Sequence, residues 1–233
     1  MAAVTAPAAR ALLDRVRSLA GGERVLLGIT GAPAAGKSTL AEWLAAALHA
    51  EGIPSAWVPM DGFHLADAAL DRLDRRDRKG ALDTFDGYGY LSLLRRLREE
   101  TGNTVYAPAF ERDLEQPIAN SIPVGPEVRV VVTEGNYLLV DPEPWPEVRR
   151  QLTEVWFTEV DPVLRRERLV ARHIRFGKAP DAAAAWADTV DEPNARLIAA
   201  TRDRADLVVD FDALGLEATS EAGLDAALQA QPE

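Results

Sequence analysis

The segment Gly31-Ala32-Pro33-Ala34-Ala35-Gly36-Lys37-Ser38 has the residue types and spacing to hold a chain of phosphates. It satisfies G-x-x-x-x-G-K-[ST] in full. Its glycines let the backbone curl so that successive N–H groups point inward at phosphate oxygens. A helix that begins at the site adds the positive end of its dipole. In that layout Lys37 reaches the β- and γ-phosphates, and Ser38 holds Mg²⁺ through its hydroxyl. Thr39 is a second hydroxyl at the helix start. A nucleoside triphosphate with Mg²⁺ is therefore the expected ligand pair. The plain alternative is a Gly/Ala-rich turn ahead of a helix, but the flanking strand and helix patterns supply the context the motif needs.

Two acids stand where they could act on that ligand. Asp61 and Glu134 each end an apolar, strand-like run, and each is followed by Gly. In an open parallel sheet, ligands bind outside the carboxyl ends of the strands. One acid could accept a proton from a substrate hydroxyl; the other could organise Mg²⁺ or its water shell. Either could instead cap the turn that follows it. A third feature is a row of arginines. Arg165, Arg168, Arg172 and Arg175 fall at i, i+3, i+7 and i+10, on one side of a helix that runs into Phe176-Gly177-Lys178. A solvated charged face would look the same. A lid whose arginines close over a transferring phosphoryl group is the functional reading; Arg168 and Arg172 are its first candidates for phosphate contact.

These residues need a frame. Leu12, Leu13, Val16, Leu19 and Ala20 recur at helical spacing. Arg24–Thr30 reads as a strand buried on both faces, Ser38–Ala50 as a helix and Ser55–Met60 as a second buried strand. That is strand–helix–strand, the start of a parallel sheet with a right-handed crossover. Residues 64–101 read as charge-rich and largely helical, broken near Gly80 and Gly87–Gly89, with Asp71–Lys79 as a solvated helix and loop. Asn103–Phe110 and Pro117–Val124 carry prolines and β-formers, and suggest an irregular hairpin or flap. Val128–Thr133 and Glu154–Val160 are strand patterns, Pro162–Arg175 is a basic helix, and Leu207–Val209 is a last strand. The tail after Gly215 reads as a terminal helix or a frayed end. The whole, 1–233, is expected to be one domain, disordered over residues 1–9, with a flap at about 103–124 and a lid at about 165–180.

Composition narrows the partners. The formal net charge of −11 argues against broad nucleic-acid binding and against adhesion to an anionic membrane. The absence of cysteine removes disulfides, thiolate metal sites and a thiol nucleophile. No window approaches a spanning length of apolar residues, and the start lacks a signal-peptide pattern, so a cytoplasmic location is the default. No Asn is followed by Lys, which removes the usual guanine-reading segment, and Leu-Ser-Gly-Gly is also absent.

Seven segments carry a resemblance. They are GAPAAGKST at Gly31–Thr39, MDGFHL at Met60–Leu65, RKGALDTFD at Arg78–Asp86 and VYAPAFERDLEQPI at Val105–Ile118. VVTEGNYLL at Val131–Leu139, RLVARHIRFGKAP at Arg168–Pro180 and VDEPNARLIAATRDRADLVV at Val190–Val209 complete the set. In order and over nearly the whole chain, they resemble the P-loop kinases that include bacterial pantothenate kinase, uridine kinase and phosphoribulokinase. The likeness is greatest to the nucleoside/nucleotide kinase-like, or "fructose transport system kinase", branch. The resemblance implies an α/β, three-layer P-loop NTPase fold. Its features would be a mostly parallel central sheet, helices on both faces, a small flap and an Arg-bearing lid.

Asp61 then matches the general base on the acceptor hydroxyl, and Glu134 the acid near the metal. Phe63 and His64 would face the acceptor. Tyr106, Phe110 and Arg112 match the flap that holds it. Arg202, in Thr-Arg-x-Arg-Ala, matches a segment near the nucleotide base, although a helix-end salt bridge remains an equal alternative. Where uridine kinases carry a Tyr-Asp pair, this chain has Ala109-Phe110-Glu111-Arg112. The expected activity is ATP-dependent phosphorylation of a hydroxyl on a small pantothenate-, nucleoside- or sugar-like molecule. The alternatives are a nucleotide or phosphorylated-sugar acceptor, or a nucleotide-binding regulator that transfers nothing. A homodimer stays open.

Overall fold

The computed structural model describes residues 7–216. Helix α1 (Pro7–Leu19) is followed by β1 (Val25–Thr30), α2 (Lys37–Ala50), β2 (Ser55–Pro59), α3 (Asp67–Leu73) and α4 (Gly87–Glu99). A hairpin of β3 (Val105–Glu111) and β4 (Gln116–Val124) leads to β5 (Val130–Glu134), α5 (Trp145–Gln151), β6 (Glu154–Glu159) and α6 (Pro162–Arg175). Then come α7 (Pro180–Trp186), a π-helical turn at Ala187–Asp191, α8 (Glu192–Ala199) and β7 (Leu207–Asp210).

Five strands form one parallel sheet in the order β2-β5-β1-β6-β7. Every residue of β1 and β5 is buried, as the unbroken apolar runs require. Alternate side chains enter two cores. Val25, Leu27 and Ile29 pack with α1 and α2 on one face; Leu26, Val131 and Phe157 pack with α4 and α5 on the other. This is the expected three-layer α/β architecture.

Register is what brings the chemistry together. Glu134 lies opposite Ile29 of β1 on one side and Pro59 of β2 on the other. The phosphate loop, Glu134 and Asp61 therefore leave the same edge of the sheet side by side. The edge is also a switch point. From β1 the chain crosses to β2 on one flank, while β6 and β7 fill the other. At the opposite end, buried Arg24 donates to the carbonyls of Val128 at 2.9 Å, Leu97 at 3.0 Å and Gly125 at 2.8 Å. It ties α4 and the β4–β5 connection to the base of β1.

Several expectations are adjusted. Gly87–Gly89 does not break a helix; it is the first turn of α4, because the Asp86 carboxylate accepts from the Gly89 N–H at 2.8 Å and caps it. Within the stretch expected to lack order, α1 already begins at Pro7 and Ala9 is buried; residues 1–6 lie outside the described part. So does the tail beyond residue 216. The flap forms as an antiparallel pair whose register shifts between Ala107 and Ala109. Among the described residues no helix is long and apolar enough to cross a membrane.

Candidate active site

The loop between β1 and α2 is built to receive an anion. Gly36 sits at φ +81 and caps α2 with no side-chain acceptor, so the first N–H groups of the helix have no partner on that side chain. The ring of Phe211 packs where a Cβ on Gly36 would stand, so only glycine fits that turn. Lys37 Nζ donates to Ala32 O at 3.1 Å and folds back over the loop. Burial pushes its ammonium down to about 8, against the pull of Glu134 and Asp61. Ser38 Oγ donates to Glu134 Oε1 at 3.1 Å. Thr39 follows in the first turn of α2.

The two acids separate in character. Burial, reinforced by the charge of Asp61, pushes Glu134 up to about 7. Burial also opposes the charge on Asp61, yet His64, Arg112, Lys37 and Arg172 together outweigh it and hold that carboxyl below its ordinary range. Asp61 is thus the ionised member, and Arg112 Nη2 lies 3.4 Å from its Oδ2. The hydroxyl of Ser38 beside the Glu134 carboxylate is a hard-oxygen pair of the kind that suits Mg²⁺. Their direct hydrogen bond shows the two oxygens converging on one spot.

His64 donates from Nδ1 to the Asp61 carbonyl at 2.8 Å, since a carbonyl can only accept. Burial lowers the pKa of the ring, against the pull of the Asp61 charge. The ring lies between Phe85 and Phe110, with centroids 4.0 and 4.7 Å away. Over Gly62 the Pro108 carbonyl of β3 comes so close that a Cβ would collide with it. The flap is thereby seated directly on the turn that carries Asp61.

Lys37, Ser38, Glu134, His64, Phe110 and Arg112 border one cavity of about 370 Å³. It has a phosphate side (Pro33, Lys37, Ser38, Glu134), a wing beyond β2 (His64, Arg76, Lys79, Phe110, Arg112) and a wing from α6 to α8 (Arg172, His173, Lys178, Trp186, Asp191). Asp61 lines it too.

Some expected residues stand elsewhere. Phe63 does not face the cavity; it turns into the core and meets Tyr90 edge-on at 5.3 Å. The tight turn at Met60–Phe63 points successive side chains in different directions, and the apolar face of α4 takes the ring. Tyr106 is half exposed, opposite in the strand alternation to buried Val105 and Ala107, and does not line the cavity.

The arginine row also divides, because on a helix seven residues return to within about 20° of the same direction whereas three fall about 60° away. Arg165 is buried against Glu192, and Arg172 reaches the cavity. Arg168 pairs with Asp212 at 3.1 Å over the Phe211 ring, and Arg175 covers Phe176. Arg202 pairs with Glu159 at the carboxyl end of β6.

Other residues enter that the pattern alone did not single out. Arg76 and Lys79, read as part of a solvated helix and loop, border the cavity. The folded path of residues 74–86 past α3 brings them in, which no helical or strand period encodes. His173 Nε2 meets Asp191 Oδ2 at 2.8 Å across the π-helical turn, and Lys178 lies 4.4 Å from the Trp186 ring centre. Unusual helix geometry beside a site is a common signal, but it is invisible before the backbone is known.

Comparison with known proteins shows the family and the fold. The chain is 41% identical over 133 residues to the ATP-dependent kinase-like protein notR' of Aspergillus versicolor, covering 54% of this chain and 77% of that protein. It is 36% identical over 162 residues to a candidate uridine kinase of Schizosaccharomyces pombe, covering 66% and 68%. The chain belongs to this P-loop kinase-like family. A solved structure described as a candidate fructose transport system kinase from Silicibacter sp. TM1040 superposes with a TM-score of 0.79 at 40% identity. That match covers 86% of this chain and 98% of the other. A family model described as Methylmalonyl Co-A mutase-associated GTPase MeaB matches residues 2–63. Those residues include β1, the phosphate loop and α2, a nucleotide-binding unit that does not specify the base. Asp61 lies near the end of that match, and the flap and Glu134 lie beyond it.

Proposed function

We propose that the protein transfers the γ-phosphoryl group of ATP to a hydroxyl of a small molecule. The observation that carries this reading is the ionised Asp61 carboxylate in the same cavity as Lys37 and Ser38. A protein that only bound nucleotide would need no base there. Asp61 accepts the proton of the acceptor hydroxyl. The oxygen attacks the γ-phosphorus in line, a new P–O bond forms, and the bond to the β-phosphate oxygen breaks to release ADP. Lys37 and Arg172 offer positive charge to the phosphoryl oxygens as that charge spreads. Ser38 and Glu134 would hold Mg²⁺, which when bound neutralises phosphate charge. The fit between cavity and flap supports a small acceptor, because Phe110 and Arg112 close one side of the space around Asp61.

The test is ADP release from ATP across pantothenate, nucleosides, hexoses, pentose phosphates and hydroxy acids. Release that depends on one acceptor class supports the reading. Tight ATP binding with no acceptor-dependent release across all classes refutes it and favours a nucleotide sensor.

A further inference from the structure

The wing beyond β2 is more basic than a chain of net charge −11 leads one to expect. Three cations from two segments border the cavity there: Arg76 and Lys79 after α3, and Arg112 at the flap turn. The acids that line the same wing are Asp61 and Glu115. Arg76 and Lys79 share one carboxylate behind the wall, Asp67, each at 2.8 Å. Arg76 also makes a longer contact, 3.4 Å, to Asp71 on the solvent side. Lys79 further donates to the Glu115 carbonyl at the flap turn and lies 5.4 Å from the Phe110 ring centre. The Lys79 side chain is only 13% exposed, so its charge is held at the cavity wall and not released to water.

Arg112 makes the decisive contact. Its guanidinium lies against Asp61, the group that must take the acceptor's proton. A base held by a guanidinium is a weaker base, so productive binding requires Arg112 to exchange that carboxylate for another anion. Arg112 also lies 6.0 Å from the Phe110 ring centre, on the same flap. An anion on the acceptor satisfies both needs at once: it draws Arg112 off Asp61 and brings the hydroxyl to the carboxylate so freed. Hydrogen-bond lengths together with the present Arg112–Asp61 spacing put that anion within about 9 Å of the reacting hydroxyl.

We propose that the acceptor is a compact anion, a carboxylate or phosphate that also carries the hydroxyl, with its charged group held by Arg112, Lys79 and Arg76. This rests on the phosphotransfer reading above and names its substrate class. A neutral nucleoside or free sugar would leave the three cations facing the cavity without a ligand partner, and Arg112 would stay on Asp61. Arg112 and Lys79 are then specificity residues, and Arg76 strengthens the field from the more exposed rim.

The experiment compares acceptors in matched pairs: a free sugar against its phosphate, and a polyol against its hydroxy acid. Wild-type protein is expected to favour the anion in kcat/KM by at least about 100-fold, the scale of two charge-assisted hydrogen bonds. The carboxylate and phosphate arms identify the source of the charge. Arg112→Gln and Arg76→Gln are expected to raise KM for the anion about 10-fold or more with a smaller change in kcat, and so to cut the anion-over-neutral preference in kcat/KM by about 10-fold or more; an unchanged preference overturns the proposal. Equal or better use of the neutral partner overturns the anion while leaving phosphotransfer intact.

A binding measurement decides the matter even if no acceptor turns over. With the non-hydrolysable analogue AMP-PNP and Mg²⁺ filling the phosphate loop, added inorganic phosphate should raise the melting temperature of wild-type protein and not of Arg112→Gln. No rise in the wild type, or the same rise in both, overturns the proposal.

Discussion

Replacing Asp61 by Asn removes one charge and one basic site while keeping the side-chain shape. The cost to the fold should be small, because the Asp61–Arg112 pair is about a quarter exposed on each side and such pairs contribute about 1 kcal/mol or less. The cost to catalysis should be large. Loss of a positioned general base lowers rates by roughly 10²–10⁴, or about 2.7–5.4 kcal/mol at 1.36 kcal/mol per tenfold. Nucleotide binding should survive. Glu134 is held up partly by the charge of Asp61, so its carboxyl should move down from about 7 and become a better partner for Mg²⁺. The expected result is a kcat for acceptor-dependent ADP release at least about 100-fold below wild type. The dissociation constant for Mg²⁺·ATP, followed by tryptophan fluorescence, should stay within about threefold. A kcat within about threefold of wild type would refute the base assignment. A parallel loss of ATP affinity would show instead that Asp61 holds the nucleotide.

Lys37 should make ATP binding pH-dependent. Its ammonium titrates near 8 in the free protein, and a bound triphosphate favours the charged form, so binding above that pH must take up a proton. Affinity should fall as pH rises through 8 and beyond, and calorimetry at pH 9 in buffers of different ionisation enthalpy should detect the uptake. Lys37→Met should remove the uptake and weaken binding and turnover together. At the other end of the sheet, Arg24→Met leaves three carbonyl acceptors without their buried donor. It should destabilise the protein by about 2–4 kcal/mol, read as a lower urea midpoint, because hydrogen bonds from a charged group are each worth about 1.5–3 kcal/mol before the desolvation of the guanidinium is regained.

Local chemistry was legible in the residues themselves. The spacing from Gly31 to Ser38, set between a buried-strand pattern and a helix pattern, matches the phosphate-loop motif in its required context. Asp61 and Glu134 could be placed at strand ends because an apolar run of strand length stops at each. Composition had already removed thiol chemistry. Prolines and β-formers pointed to the flap, and the hairpin formed where those segments stood.

What the sequence could not fix was direction. A period of 3.6 puts Arg165, Arg168, Arg172 and Arg175 broadly on one side of α6, but only packing against Glu192 and Phe211 sends Arg172 to the cavity and Arg168 to the rim. Phe63 and His64 are neighbours in the chain, yet one joins the core and the other the cavity, because a single tight turn parts them. Arg76 and Lys79 sit in an alternating charge run that looks like plain solvated surface. They become cavity walls because Asp67 and the flap turn hold them there. The separation of the two acids, Asp61 ionised and Glu134 raised, depends on burial and on charges brought from four different segments. One-dimensional spacing fixes which groups are available, whereas their pKa values and partners come from distances that exist only after the chain has folded.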